Sequence, residues 1–175
     1  IDDDGSWLIH SINNESLDIC NDGSYMPTLS RHACSGAFIL RCRESNKEIR
    51  GCFTDSSYDS DNYRGELLGA IGPLLLIRAA FLSCPESVLP DASVSTLLLH
   101  CDNRGVVLHG NDPYSPLKEG QKQADLVRLI KSYSRLIPCS IQWIHIHGHA
   151  DDHTNFHNLT PLQQLNVRCD RLAEK

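Results

Sequence analysis

The sequence predicts an α/β domain in which a single mixed sheet carries packed helices. Three observations lead there. A length of 175 residues suits one domain with a real core. Strand-like and helix-like segments follow one another in the order βββαβαβα. No internal repeat divides the chain, so the sheet is expected to be continuous rather than assembled from copies of one unit.

Residues 1–15 are acidic and rich in Asn and Ser around the apolar patch Trp7-Leu8-Ile9, and are expected to form an N-terminal extension ahead of a domain at 16–175. Leu17 and Ile19 lead into Asn21-Asp22-Gly23-Ser24, a strand that passes a polar site. Segments 34–42 and 48–54, parted by Arg43-Glu44-Ser45-Asn46-Lys47, read as a hairpin, so the first three strands form an antiparallel meander. Ser60 or Asp61 suits the N-cap of a buried helix with apolar Leu67, Leu68, Ile71, Leu74, Leu75 and Ala79. Gly72-Pro73 predicts a kink or a break into two helices. A buried strand at 95–100 runs into Cys101-Asp102-Asn103. Ala124, Val127, Leu129, Ile130 and Tyr133 fall on helical spacing within 121–136. A strand apolar on both faces follows at 140–147, and a last helix holds 165–173.

Composition narrows the function classes. With 41% hydrophobic and 22% charged residues the chain is neither fibrous nor disordered. Eight scattered cysteines without a CxxC pair, several within apolar runs, predict free thiols and an intracellular, reducing compartment, cytoplasm or nucleus. The opening Ile1-Asp2-Asp3-Asp4 lacks the basic start and apolar run of a signal peptide. The apolar stretch at 74–82 follows Pro73, contains Arg78 and is shorter than the ~20 residues that span a bilayer, so a soluble protein with no membrane partner is expected. A start at Ile1 and an end at Lys175 within a helical pattern suggest a piece of a longer polypeptide. A net charge of −6 counts against a nucleic-acid binder, since such proteins are usually basic.

Four acidic residues occupy positions that such a sheet could gather. Asp22 lies on the first strand, Glu66 in the first turns of the first long helix, Asp102 at the end of the fourth strand and Asp170 in the last helix. Clustered carboxylates repel unless a cation neutralises them, and oxygen donors suit Mg²⁺ or Mn²⁺. Taken singly, each is as readily a solvated group or a cap, and spacing alone does not bring them together.

The motifs carrying these acids are Asp22-Gly23-Ser24, Asn62-Tyr63-Arg64-Gly65-Glu66-Leu67, His100-Cys101-Asp102-Asn103, Gly148-His149-Ala150 and Asn166-Val167-Arg168-Cys169-Asp170-Arg171-Leu172-Ala173. In this order, over residues 16–175, they resemble the signatures of ribonuclease H. The resemblance implies a ribonuclease H-like fold, with a five-stranded mixed sheet (three antiparallel strands, then two parallel) and helices on both faces. It implies an enzyme hydrolysing the RNA strand of RNA/DNA hybrids to 5′-phosphate and 3′-hydroxyl ends. Asp22, Glu66, Asp102 and Asp170 would be the catalytic ligands of two Mg²⁺ ions, with Mn²⁺ as a substitute. His149 would assist proton transfer or product release, and Gly23, Ser24, Asn62 and Asn103 would contact the substrate.

Departures from the pattern qualify the resemblance. The family's glycine-rich turn after the first strand is replaced by residues 25–32, and only residues 104–137 separate Asp102 from the last strand, without an extra basic helix. Arg128, Lys131 and Arg135 share a helical face that is either solvated or a duplex contact. The insertion at 151–165 and the stretch Gly148-His149-Ala150-Asp151-Asp152-His153-Thr154 are similar to ribonuclease H domains of eukaryotic retroelement polyproteins, where a reverse transcriptase precedes the domain.

Two rival readings stand beside this one. Five of the nine histidines lie between 145 and 157, and His145, His147 and His149 would share one face of a strand, a spacing able to ligate zinc in a hydrolase or a structural site. The chain could instead be a weakly active or inactive connector module of a reverse transcriptase, although such modules typically lose carboxylates that are present here. The charge itself is uneven. Residues 1–100 carry 14 acidic against 7 basic groups, residues 101–150 carry 4 against 6, and two Mg²⁺ would bring −6 to −2.

Overall fold

A computed structural model of the chain describes residues 6–28, 30–84 and 95–175. In chain order the elements are α1 (Ser6–Asn13), β1 (Leu17–Tyr25), β2 (Cys34–Cys42), β3 (Glu48–Asp55), α2 (Asn62–Ser83), β4 (Thr96–Cys101), α3 (Arg104–Asn111), α4 (Ala124–Leu136), β5 (Ser140–His145) and α5 (Pro161–Ala173). The strands form one sheet, ordered β3-β2-β1-β4-β5. Strands β1 to β3 pair antiparallel, whereas β4 joins β1 and β5 joins β4 in parallel, as expected.

Period-2 alternation divides the apolar side chains between two faces. Ile19, Phe38, Leu40 and Leu99 enter a large cluster with α1, α2, α3 and α4, while Cys20 and Ile39 pack on the other face against Leu165 and Cys169 of α5. Helix α2 approaches β1 and β2 across glycines. A Cβ on Gly36 would lie 2.1 Å from the Gly69 nitrogen, and one on Gly69 would lie 2.5 Å from the Asp22 carbonyl oxygen. Larger residues would push helix and sheet apart.

Several expectations need correction. Helix α2 is unbroken through Pro73. Full burial of a Leu or Ile contributes about 1.5–3 kcal/mol, so Leu67, Ile71, Leu74 and Ile77, all buried, outweigh the roughly 3 kcal/mol cost of an internal proline. At 22 residues α2 is also longer than the apolar stretch at 74–82, and is long and apolar enough to cross a membrane; 61% of its apolar window is instead buried inside this fold. Helix α3 appears in the region expected to hold only one helix, capped by Asn103. Strand β5 stops at His145, and α5 begins at Pro161, inside the expected insertion, because Thr160 and Gln163 form a reciprocal cap. Lys131 is buried rather than displayed with Arg128 and Arg135; its Nζ donates to Ser115 Oγ (2.7 Å) and to the Asp112 carbonyl. Within residues 1–15, α1 places Leu8, Ile9 and Ile12 in the main core.

Candidate active site

Parallel pairing sets the site. Ile19 lies opposite Leu99 and Cys20 opposite His100, so two further residues carry Asp22 alongside Asp102 at the carboxyl ends of β1 and β4, where α/β sheets gather functional groups. Asp61 caps α2 by accepting from the Arg64 N–H (2.7 Å), which sets Glu66 in the second turn. Gly23 leaves no room between strand and helix, since a Cβ there would lie 2.1 Å from the Glu66 nitrogen. Asp170 comes from α5 on the opposite face of the sheet. One turn earlier on that helix, Asn166 Nδ2 donates to Asp22 Oδ2 (3.1 Å), and the Gly23 N–H donates to Asp22 Oδ1 (2.8 Å).

The four carboxylates feel one another. Burial pushes Asp22 up to about 8, and the charges of Asp102 and Asp170 add to it, against the stabilising bonds from Gly23 and Asn166. Glu66 is pushed up to about 10 by burial and then by Asp22, Asp102 and Asp170. Asp102 and Asp170 are also raised, burial again being the largest cause, with His149 pulling both the other way. Among the described residues no Lys or Arg pairs with any of the four. Glu66 Oε2 and Asp102 Oδ1 are buried without a hydrogen-bond partner. Leaving a buried acceptor unpaired costs about 1–3 kcal/mol, and an oxygen-binding divalent cation would satisfy both. The donor set fits such an ion.

Ligand atoms of Glu66, Cys101 and Asp102 lie within 4.8 Å of one another. Cys101 belongs to the core rather than to the donor set. Burial raises its thiol well above the ordinary value, and Asn21 Nδ2 and the Asn103 N–H both donate to its sulfur at 3.4 Å. No histidine belongs to this group among the described residues. His147 and His149 lie beyond the end of β5 and so do not continue a strand face with His145, as a zinc site on that strand would require.

Other predicted site residues surround the carboxylates. Asn62 is exposed at the start of α2, Ser24 is half-buried, and Gly23 is buried with its N–H turned to Asp22. Asn103 Oδ1 accepts from Gly105 N and Val106 N, capping α3. His149 is exposed, with a left-handed backbone (φ 50°), on the turn after β5. Three further residues shape the site in ways the sequence reading does not assign. Asn166 orients Asp22, and its signals are its place at the head of the motif 166–173 and its i, i+4 spacing to Asp170. Gly148 lets the turn close on Asp102, since a Cβ there would lie 2.1 Å from Oδ2. His145 Nε2 donates to the Asp102 carbonyl (3.0 Å), which anchors β5 beside it.

No family model and no curated protein matches the sequence. Solved structures do match in shape. LC11-RNase H1, isolated from compost and determined in complex with an RNA/DNA hybrid, superposes with a TM-score of 0.58 at 11% identity, covering 90% of this chain and 94% of that one. The PFV RNase H domain gives 0.57 at 13% identity over 91% and 92% of the two chains. RNase H1 from the halophilic archaeon Halobacterium salinarum NRC-1 gives 0.51 at 13% over 90% and 98%. The mixed sheet, its strand order and the helices on both of its faces are those of a ribonuclease H-like fold.

Proposed function

We propose that this chain is a divalent-cation-dependent endoribonuclease that cleaves the RNA strand of RNA/DNA hybrids, leaving 5′-phosphate and 3′-hydroxyl ends. One observation carries the reading: in a ribonuclease H-like fold four carboxylates lie near enough to one another to be raised together, with no lysine or arginine of the described residues paired to them. Asp22, Glu66, Asp102 and Asp170 would hold two Mg²⁺ ions, or Mn²⁺. Bound cations supply Lewis-acid charge that lowers the pKa of a water and stabilises the oxygen that departs.

The chain's own groups prepare that chemistry. Asn166 and the Gly23 N–H hold Asp22 in one orientation, and Gly148 lets the loop press against Asp102. His149, exposed and acting electrostatically on Asp102 and Asp170, would assist proton transfer or product release, a role its exposure supports. Asn62, Ser24, Gly23 and Asn103 would line the path of the hybrid, where the RNA 2′-hydroxyls distinguish it from DNA.

In this reading residues 16–175 are the catalytic domain, with α1 packed onto its core. The 148–154 stretch and the likeness to the PFV RNase H domain support an origin in a retroelement polyprotein with a neighbouring reverse transcriptase. Eight thiols suit a reducing compartment. The test is a labelled RNA/DNA hybrid with Mg²⁺ or Mn²⁺, wild type beside Asp22→Asn and Asp102→Asn. Cleavage by wild type alone supports the reading. An intact hybrid with either ion, or equal cleavage by the variants, overturns it, and sensitivity to zinc chelation and His147→Ala would favour a zinc hydrolase.

A further inference from the structure

Apart from the carboxylates, a pocket of about 180 Å³ lies between α5 and the sheet, lined by Ile39, Arg50, Arg168, Arg171, Leu172 and Lys175. Four of these six residues are basic, in a chain where acidic groups outnumber basic ones 22 to 16. The backbone explains the convergence. Ile39 and Arg50 are direct cross-strand partners, so Arg50 shares the face on which Ile39 packs against α5. Arg168, Arg171 and Leu172 recur at i, i+3 and i+4 on one side of α5, and Lys175 follows the helix just past its C-cap, Glu174.

Two of the cations are tethered. Arg168 pairs with Glu48 at 2.5 Å, and Arg171 pairs with Asp151 at 2.9 Å while lying 5.4 Å from the Phe156 ring centroid. A guanidinium has five N–H donors, so one ion pair leaves donors free. Arg50 and Lys175 are exposed and have no ion-pair partner among the described residues. The pocket therefore keeps a positive excess beside the apolar side chains of Ile39 and Leu172. Asp170, two residues after Arg168, projects roughly 200° around the helix from it, so the cationic side and the carboxylate side of α5 are distinct.

We propose that this pocket binds a backbone phosphate of the nucleic acid, outside the segment at the carboxylates. The inference rests on the nuclease reading for the identity of the polyanion. The chemistry it claims, recognition of a phosphate by fixed guanidinium groups, stands on the pocket. An acidic protein gains most from such a contact, because the rest of its surface repels the backbone.

The experiment measures equilibrium binding of a fluorescent RNA/DNA hybrid to the whole chain in EDTA, between 50 and 200 mM salt. Wild type is compared with Arg50→Gln/Lys175→Gln, neither residue having an ion pair whose loss would disturb the fold. Each lost phosphate contact removes about 0.9 from the slope of log K against log salt. Losing that one phosphate contact, the double variant should bind roughly tenfold more weakly near 0.1 M salt, with a slope smaller by about 0.9. Arg50→Lys/Lys175→Arg should restore both. Unchanged affinity and slope overturn the proposal. So does a pocket that binds inorganic pyrophosphate in wild type, loses it in the double variant and leaves hybrid affinity untouched, since that would be a site for free phosphates. Failure of the nuclease reading shows separately, as wild type that binds the hybrid but does not cut it when Mg²⁺ is added.

Discussion

Two carboxylates on β1, Asp18 and Asp22, lie four residues apart on the same face of the strand, and both are buried. Asp18 faces two cations of the protein itself: Arg41, its cross-strand partner, at 3.2 Å, and Arg43 at 2.6 Å. Asp22 faces Asp102 and Asp170, with an amide and a backbone N–H as its only described hydrogen-bond donors. A buried carboxylate must be neutralised by a partner, a proton or an ion. At Asp18 the partner is built in, and the group is structural. At Asp22 the protein leaves the charge uncompensated, which costs stability and makes a place for a cation from solution.

The largest expected effect breaks the Asp22 side of this contrast. Asp22→Asn or Asp102→Asn should lower hybrid cleavage at least roughly a thousandfold, about 4 kcal/mol in barrier, while chemical denaturation shows a fold no less stable than wild type. The reciprocal change at the other end should do the opposite. Arg41→Met/Arg43→Met strands Asp18 and should cost about 3 kcal/mol in denaturant unfolding, with any loss of cleavage tracking the loss of folded protein.

Smaller effects sharpen the contrast. Mg²⁺ at about 100 times its dissociation constant should stabilise wild type by about 2.7 kcal/mol, read as a rise in melting temperature that Glu66→Gln diminishes. Without metal, the raised values of Asp22 and Glu66 carry a definite sign. Their contribution to stability is complete below the unfolded carboxylate range near pH 4, and is lost as pH rises through about 8 for Asp22 and about 10 for Glu66. The melting temperature in EDTA should therefore fall between pH 5 and 9. Glu66→Gln should flatten that fall and at pH 8 gain about 2 kcal/mol, about 4–8 °C in a domain of this size. A melting temperature that rises with pH in EDTA would contradict the uncompensated cluster.

Much of the fold was legible because it is written in short-range patterns. The alternation through β1 and β2, the Asp61 cap and the helical spacing of α4 each involve residues within a few positions of one another. What misled was local information overridden by distant contacts. Gly72-Pro73 reads as a kink or a break, yet α2 runs through it as one continuous helix packed on the sheet. Lys131 reads as a surface cation, yet Asp112 and Ser115, brought close by the turn after α3, draw it inward. Trp7-Leu8-Ile9 reads as an appendage, yet the core has room for Leu8 and Ile9.

By itself, the sequence determined the residue types available for chemistry and the order of the five strands with α2, α4 and α5 between and after them, though not α1 or α3, since these follow from side-chain identity and local backbone preference. Only the tertiary structure decided that Asp22 and Glu66, both buried, would meet the half-buried Asp102 and Asp170, with no lysine or arginine pairing any of the four among the described residues. That outcome depends on how closely α2 and α5 approach the two faces of β1. Glycines at 23, 36 and 69 set the first distance, and the Asn166 bond helps to set the second. Such distances arise from packing between remote segments, where a single Cβ is enough to change them.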